Sequence, residues 1–217
     1  MIIRHFESEN SLLNTFLAEI RDLATQKDPM RFRRNIERIG EILGYEMSKT
    51  LNYQSSSVTT PFGNKEMHLP TNKLVLCSVL RAGLPLHHGL LNYFDRAGNA
   101  FISAYRDHPE GRDDFEVVVK YLAAPSLEGK TLVLTDPMLA TGKTLENVFE
   151  ALKTHGKPQQ IHIISVIGSR DGVAYVQKIF PENTHLWIAS IDNEITARGY
   201  ILPGLGDAGD LAFGLKL

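Results

Sequence analysis

The stretch of residues 132–152 constrains the fold of this chain more than any other. An apolar run with β-branched members, L-V-L-T, ends at a carboxylate, Asp136, and a small-residue turn at 140–142 then opens an apparent helix that runs to Leu152. This order predicts a buried strand, an acid at its carboxyl end, a loop and a helix. Because the first amide groups of a helix point outward beside the positive end of its dipole, the loop is suited to bind a phosphate.

Three side chains extend this interpretation. The hydroxyls of Thr141 and Thr144 can donate to a phosphate, and Asp136 stands where acids accept hydrogen bonds from ribose hydroxyls in other nucleotide sites. The letters G-K-T at 142–144 are also found in the phosphate loop of nucleoside triphosphatases. That motif needs a glycine five positions before Gly142, where this chain has Pro137, so the motif is excluded.

Apolar runs and helical spacings alternate along the rest of the chain. The pattern predicts two N-terminal helices, one over residues 11–24 and one with Asp28 as N-cap and Pro29 at its first position. A hairpin is predicted between residues 58 and 69. Further strands are predicted at residues 73–80, 100–105, 116–122, 161–167 and 185–191. Strands that alternate with helices indicate an α/β fold with a mostly parallel sheet.

Composition excludes several classes of protein. With 217 residues and 43% hydrophobic side chains, the chain is long and apolar enough for a globular core. Its net charge of -2 argues against a nucleic-acid-binding protein, which usually has a basic face. Cys77 is the only cysteine, which rules out an intramolecular disulfide and indicates a buried thiol. We find neither a signal peptide nor a run that could span a membrane, and we expect a cytoplasmic protein.

Charged and glycine-rich segments follow several predicted strands. Arg81 and Gly83 come directly after the strand at 73–80; the arginine has forked donors that suit a pyrophosphate, and the glycine allows backbone torsions closed to other residues. Arg106 follows the strand at 100–105. Near the end of the chain, three glycines and a proline within residues 203–209 indicate a shaped backbone loop.

Three of these segments together resemble the uracil phosphoribosyltransferases, a family of the type I phosphoribosyltransferases. They are L-R-A-G at 80–83, D-P-M-L-A-T-G at 136–142 and G-Y-I-L-P-G-L-G-D-A-G-D at 199–210, in the order found in that family. The resemblance covers roughly residues 74–213. Within it, Pro137 takes the place of the second of two adjacent acids, Lys143 stands where a small residue is usual, and Leu211 where a basic residue is frequent.

The resemblance implies a fold and a division of the chain. We expect one phosphoribosyltransferase domain with a central, mostly parallel sheet flanked by helices. Its parts would be N-terminal helices at about 11–51, a β-arm at about 57–69 that helps join subunits, a core at about 73–191 and a base-binding segment at about 192–217. The N- and C-terminal segments would form a hood over the catalytic edge, and residues 108–115 would be a loop that covers the site.

It also implies a reaction, the transfer of ribose 5-phosphate from phosphoribosyl pyrophosphate (PRPP) to uracil, which yields uridine monophosphate (UMP) and pyrophosphate. Asp207 and Arg106 are the expected catalytic residues. The residues expected to bind PRPP are Arg81, Arg106, Asp136, Pro137, Met138, Leu139, Ala140, Thr141, Gly142, Lys143, Thr144 and Asp207. The residues expected to bind uracil, through their main-chain groups, are Ile201, Gly206, Asp207 and Ala208.

The same resemblance extends to cofactor and partners. Mg²⁺ would be held mainly by PRPP, without a direct protein ligand. A homodimer or homotetramer is expected, and GTP is a candidate activator. The alternative is a non-catalytic regulator that keeps this fold to sense PRPP or nucleotides. Retention of Asp136, both arginines and Asp207 favours the enzyme.

Overall fold

The computed structural model describes residues 1–107 and 116–216, and for residues 104–107 and 116–119 it describes the backbone alone. The predicted covering loop at 108–115 lies outside this part. The described α-helices are α1 (Leu12–Arg21), α2 (Pro29–Ser48), α3 (Gly83–Leu91), α4 (Lys143–Leu152), α5 (Arg170–Ile179) and α6 (Ala208–Phe213). The described strands are β1 (Ile2–His5), β2 (Tyr53–Thr60), β3 (Gly63–Pro70), β4 (Leu74–Leu80), β5 (Gly98–Asp107), β6 (Glu116–Ala123), β7 (Thr131–Thr135), β8 (Met138–Leu139), β9 (Gln160–Ser169), β10 (His185–Asp192), β11 (Glu194–Ile195) and β12 (Ile201–Leu202).

The main sheet has the strand order β1-β10-β9-β7-β4-β5-β6, with the short strand β8 paired to β9. Neighbouring strands are parallel except β5 and β6, which are antiparallel. The prediction of a mostly parallel sheet flanked by helices is therefore confirmed. From β4 the chain continues to β5 on one side, whereas β7 lies on the other side. Such a switch point is where open α/β sheets bind their ligands, at the carboxyl ends of the strands.

Helices cover both faces of the sheet and divide the core in two. One cluster packs α1, α2, α3 and α6 against one face, with Phe32, Leu86, Trp187 and Ala212 among its buried members. The other packs α4 and α5 against the opposite face, with Leu145 among its members. Strands buried on both faces explain why β4, β7 and β9 are mostly apolar along their length, with no alternation of polar and apolar side chains.

Helix α2 begins where its sequence predicts. The carboxylate of Asp28 accepts hydrogen bonds from the amides of Met30 and Arg31, at 3.0 and 3.1 Å, and Pro29 is the first helical residue. A proline at this position has no amide that needs a partner, and its fixed torsion favours the first turn. The local sequence is thus sufficient to set this helix start.

Several strands differ from the sequence expectation, among them β2 and β1. The hairpin begins at Tyr53, five residues before the predicted start, because the polar residues 54–57 pair with residues 66–69 of β3. Strand β1 was not predicted. It is four residues long and exists through its parallel pairing with β10, where Ile2 lies beside His185. A short edge strand of this kind depends on a partner far away in the sequence.

Cys77 lies in the middle of β4 and is fully buried, as predicted. Burial raises the pKa of its thiol to about 12, so the thiol stays protonated at physiological pH. In the described part of the chain, no helix is long and apolar enough to cross a membrane.

Candidate active site

The residues after β7 form a tight turn that we call the phosphate loop, residues 136–144. Asp136 is 9% exposed, and its carboxylate accepts a hydrogen bond from the amide of Met138 at 3.1 Å. Its main-chain carbonyl accepts one from the hydroxyl of Ser165 on β9, at 2.7 Å. Hydrogen bonds therefore hold both the side chain and the main chain of Asp136 at the carboxyl end of β7, beside the switch point of the sheet.

The phosphate loop ends where helix α4 starts. Gly142 has a φ of +81°, a conformation that side chains disfavour, and it is the N-cap of α4. No side chain caps this helix, although the amide of Lys143 lies 3.4 Å from the hydroxyl of Thr141. The first amides of a helix have no acceptor within the helix, so this start offers donors to an anion.

The start of helix α5 packs against the phosphate loop. The hydroxyl of Ser169 donates to the carbonyl of Ala140 at 2.6 Å and accepts from the amide of Gly172 at 2.9 Å. A Cβ atom on Gly172 would lie 2.1 Å from the carbonyl oxygen of Ala140. The close contact between α5 and the loop thus requires a glycine at this position.

The turn that carries Arg81 lies next to the phosphate loop, because β4 and β7 are neighbours. A cis peptide bond joins Leu80 to Arg81. The expectation that Gly83 is needed for its torsions is wrong, because its φ is not positive. A Cβ atom there would lie 2.6 Å from the hydroxyl of Ser78 and 3.1 Å from the carbonyl of Thr135, so the glycine is needed for close packing.

The C-terminal segment reaches back to Arg81. The guanidinium of Arg81 donates to the carboxylate of Asp210 and to the carbonyl of Gly214, both at 3.1 Å. Asp207 is the N-cap of α6, and its carboxylate accepts from the amide of Asp210 at 3.0 Å. Arg81 and Asp207, 126 positions apart in the sequence, therefore both contact Asp210 in the first turn of α6.

Asp207 is partly buried, and two opposing influences act on its carboxylate. Burial, the larger single influence, raises its pKa. The amide hydrogen bond from Asp210 and the charge of Lys216, whose ammonium lies 3.3 Å away, together outweigh burial, so the pKa of Asp207 lies below its ordinary value. The carboxylate is thus ionised at neutral pH, beside the cationic Arg81.

The base loop, residues 201–208, is shaped by glycines and fastened to the core. Gly204 and Gly206 have φ angles of +61° and +95°. Ile201 and Ala208 are buried, at 3% exposure each. Gly206 is exposed.

An ion pair that sequence reasoning missed holds the base loop. Arg21, the last residue of α1, donates to both carboxylate oxygens of Asp192 at 2.8 and 3.0 Å, and to the carbonyl of Gly204 at 2.9 Å. Asp192 in turn accepts from the amide of Gly204 at 3.1 Å. Both main-chain polar groups of this glycine are therefore fixed by one pair. The two charged residues are 171 positions apart, and no local pattern pairs them.

The structure thus places Arg81, Asp136, Asp207 and the two loops at one edge of the sheet. Arg106 is a residue of β5, the strand that pairs with β4 on its other side. The structure describes its backbone, and its side chain is outside the described part. Besides Arg21 and Asp192, sequence reasoning missed Ser169, which caps α5 and supports the phosphate loop. A serine three residues before a glycine at a helix start is a capping signal that could have indicated it.

Comparison with known proteins agrees with this geometry. The sequence profile of the family described as "Uracil phosphoribosyltransferase" matches residues 7–215. A protein of that name from Porphyromonas gingivalis is 51% identical over 217 residues, which is all of both chains. One from Pyrococcus furiosus is 37% identical over 201 residues, or 91% of this chain and 84% of that relative.

Solved structures show the same fold. The AQ2163 protein from Aquifex aeolicus superposes with a TM-score of 0.86 at 27% identity, over 99% of this chain and 100% of the other. A hypoxanthine phosphoribosyltransferase from Staphylococcus aureus has a TM-score of 0.50 at 16% identity, over 86% and 84% of the two chains, and shows the shared fold. The chain belongs to the uracil phosphoribosyltransferase family.

Proposed function

We propose that this protein transfers ribose 5-phosphate from PRPP to N1 of uracil, releasing pyrophosphate and forming UMP. The observation that carries the proposal is the meeting, at one edge of the sheet, of an uncapped helix start, an acid, an arginine and a glycine-shaped loop. Each of these four features suits one part of PRPP or uracil. The family membership of the chain supports the same reaction.

The phosphate loop is proposed to hold the 5-phosphate and the ribose of PRPP. Residues 141–144 would bind the phosphate through the amides at the start of α4 and the hydroxyls of Thr141 and Thr144. Asp136 would accept hydrogen bonds from the ribose hydroxyls. The remaining loop residues, from Pro137 to Ala140, would shape the turn that places these groups.

Arg81 and Arg106 are proposed to bind the pyrophosphate. A guanidinium offers paired donors in a plane, which matches the oxygens of a phosphate. Arg81 can exchange its hydrogen bond to the carbonyl of Gly214 for a contact with the substrate, because its side chain is 39% exposed. Arg106, near the carboxyl end of β5, is assigned this role from the family pattern.

Mg²⁺ fits this site as a partner of the substrate. It prefers oxygen ligands and keeps several waters and phosphate oxygens. Among the described residues no three His, Cys, Asp or Glu side chains gather into a metal-binding group. The carboxylates of Asp136, Asp207 and Asp210 are oxygen donors at this edge of the sheet. When bound, Mg²⁺ would neutralise charge on the departing pyrophosphate.

In the proposed reaction the bond from C1 of the ribose to the pyrophosphate oxygen breaks, and its electron pair leaves with pyrophosphate. N1 of uracil forms the new bond to C1 and gives up its proton to water. Positive charge develops on the sugar between these events. Asp207, kept ionised by its lowered pKa, would stabilise that charge. Catalysis then consists of positioning and charge stabilisation, with no covalent nucleophile.

Uracil is proposed to be recognised by main-chain groups of Ile201, Gly206, Asp207 and Ala208. Uracil presents an acceptor, a donor and an acceptor along O2, N3 and O4, and fixed amides and carbonyls can match this order. Cytosine presents a donor in place of O4. A mismatch that leaves a buried polar group unpaired can cost on the order of 10⁴-fold in specificity.

We propose further that the protein is a cytoplasmic homodimer or homotetramer. All 16 residues of the hairpin β2–β3 are exposed, and Phe62 at its tip is fully so. An isolated two-stranded hairpin is only marginally stable in water, which supports a second copy that packs against this β-arm. The mass in solution, measured by light scattering, tests this; a monomer at micromolar concentration contradicts it.

The experiment that tests the reaction is formation of labelled UMP from labelled uracil, PRPP and Mg²⁺, with cytosine, hypoxanthine and orotate in parallel. We expect product with uracil alone. Comparable turnover of cytosine would contradict the proposed base recognition. No product with any base, with and without GTP as a candidate activator, would favour the non-catalytic regulator.

A further inference from the structure

We propose that Lys216, in the C-terminal tail, is a further cation of the pyrophosphate site and contacts PRPP beside Arg81. The inference rests on the proposed function and adds to it a residue that lies outside the motifs that identify the family. The tail consists of residues 214–216 here, and it follows directly on helix α6.

The tail is held against the site by four contacts. The amide of Gly214 donates to the carbonyl of Asp210 at 2.9 Å, and the carbonyl of Gly214 accepts from Arg81 at 3.1 Å. The ammonium of Lys216 lies 3.3 Å from the carboxylate of Asp207 and 3.9 Å from that of Asp210. Gly214 has a φ of +86°, a conformation that lets the chain turn back at this point.

The two cations converge on one spot. A Cβ atom placed on Gly209 would lie 3.1 Å from a carboxylate oxygen of Asp207, 3.9 Å from a guanidinium nitrogen of Arg81 and 4.0 Å from the last side-chain carbon of Lys216. Gly209 is at the start of α6, directly after the base loop. A group that comes to lie above this glycine would therefore meet both cations, with the carboxylate of Asp207 between them and the helix.

Lys216 neutralises the net negative charge of the side chains around Arg81. The carboxylates of Asp207 and Asp210 lie beside Arg81, and without Lys216 this group of three would carry a net charge of minus one. A pyrophosphate brings several further negative charges. With Lys216 the four side chains are neutral as a group, so the repulsion that a polyanion would meet is removed.

The contacts of Lys216 are also easy to exchange. Its side chain is 62% exposed, and that of Arg81 is 39% exposed. Exposed ion pairs contribute little to stability, so both cations can turn from the carboxylates to an arriving phosphate at small cost. In the absence of substrate the carboxylates hold the two cations in place for it.

The test compares Lys216→Met with Lys216→Arg and with Lys178→Met. Lys178 is an exposed lysine in the last turn of α5 and serves as the matched control. For each protein we would measure KM for PRPP, KM for uracil, kcat and inhibition by pyrophosphate. Binding of pyrophosphate with Mg²⁺ would also be measured by calorimetry, without turnover.

For Lys216→Met we expect KM for PRPP and the inhibition constant of pyrophosphate to rise by about tenfold, the size of one charged contact. KM for uracil should change little, Lys216→Arg should restore most of the affinity, and Lys178→Met should behave as the wild type. Unchanged constants, an equal rise in both KM values, or tighter binding of PRPP would each overturn the proposal.

The calorimetry separates this inference from the proposed function. If the wild type makes no UMP, the proposed function fails. Weaker pyrophosphate binding by Lys216→Met than by wild type would still support the contact. Equal binding by the two proteins would refute it.

Discussion

Gly172 lies where helix α5 meets the phosphate loop, and its replacement by alanine tests how far the loop depends on that contact. The new Cβ would lie 2.1 Å from the carbonyl oxygen of Ala140 and 2.8 Å from that of Leu139. Ordinary carbon contacts lie near 3.5 Å, so loop and helix must move apart by roughly 1 Å. Both acceptors are main-chain atoms, which cannot turn aside as a flexible side chain would.

The expected effect on stability is the sum of two opposing contributions. Alanine favours a helix over glycine by ~1 kcal/mol. Overpacking of a tight contact costs ~1–3 kcal/mol, so the net loss in the free energy of unfolding should be small. The effect on catalysis should be larger. A displacement of ~1 Å in a positioning loop can reduce the rate by about 10²-fold, and we expect a loss of that size in kcat/KM for PRPP.

Gly89→Ala is the matched control. A Cβ on Gly89 would lie 2.1 Å from the carbonyl of Glu37, an equal clash at the contact of α3 with α2. Steady-state kinetics would give KM for each substrate, and urea unfolding would be followed by the fluorescence of Trp187, the only tryptophan. The reasoning is refuted if Gly172→Ala keeps its kcat/KM for PRPP, or if Gly89→Ala shows the same selective loss.

Three further predictions follow from single contacts. Arg21→Met leaves the buried Asp192 without its cation, and we expect the free energy of unfolding to fall by ~3 kcal/mol and KM for uracil to rise more than KM for PRPP; a stability equal to wild type would contradict this. Asp207→Asn should lower kcat by roughly 10²-fold while urea unfolding changes little, and an unchanged kcat would remove Asp207 from the mechanism. Burial, with a smaller effect of His185, lowers the pKa of His162 to about 3. The unfolded chain therefore takes up this proton near pH 6.5 and the folded protein does not, so stability should fall as the pH decreases from 6.5 towards 3. In His162→Gln, followed by circular dichroism, the decline should be shallower; parallel declines would exclude His162 as a cause.

Features that depend on neighbours in the sequence were predictable. Asp28 and Pro29 set the start of α2 because the capping carboxylate and the amides that it accepts from are two and three residues apart. The apolar runs of β4, β7 and β9 predicted buried strands, since a strand covered on both faces has no polar side. The order of strands and helices then implied parallel pairing. Charged residues directly after strands indicated where a ligand site would be.

Features that depend on distant pairings were not predictable in this way. Strand β1 has four residues and is defined by β10, at the other end of the chain. The polar start of the hairpin at Tyr53 is a strand only because β3 lies opposite. Gly83 was expected to adopt backbone torsions that other residues disfavour. The structure shows instead that a side chain at this position would clash with Ser78 and Thr135.

The sequence by itself therefore determined the class of fold, the main strands and helices, and the motifs that identify the family. These follow from periodicity, capping and turn chemistry, which act over a few residues. Only the tertiary structure decided which side chains support the site: Arg21 with Asp192 beneath the base loop, Gly172 beneath the phosphate loop, and Lys216 beside Arg81. Such contacts join residues far apart in the chain, and packing alone brings them within hydrogen-bonding distance.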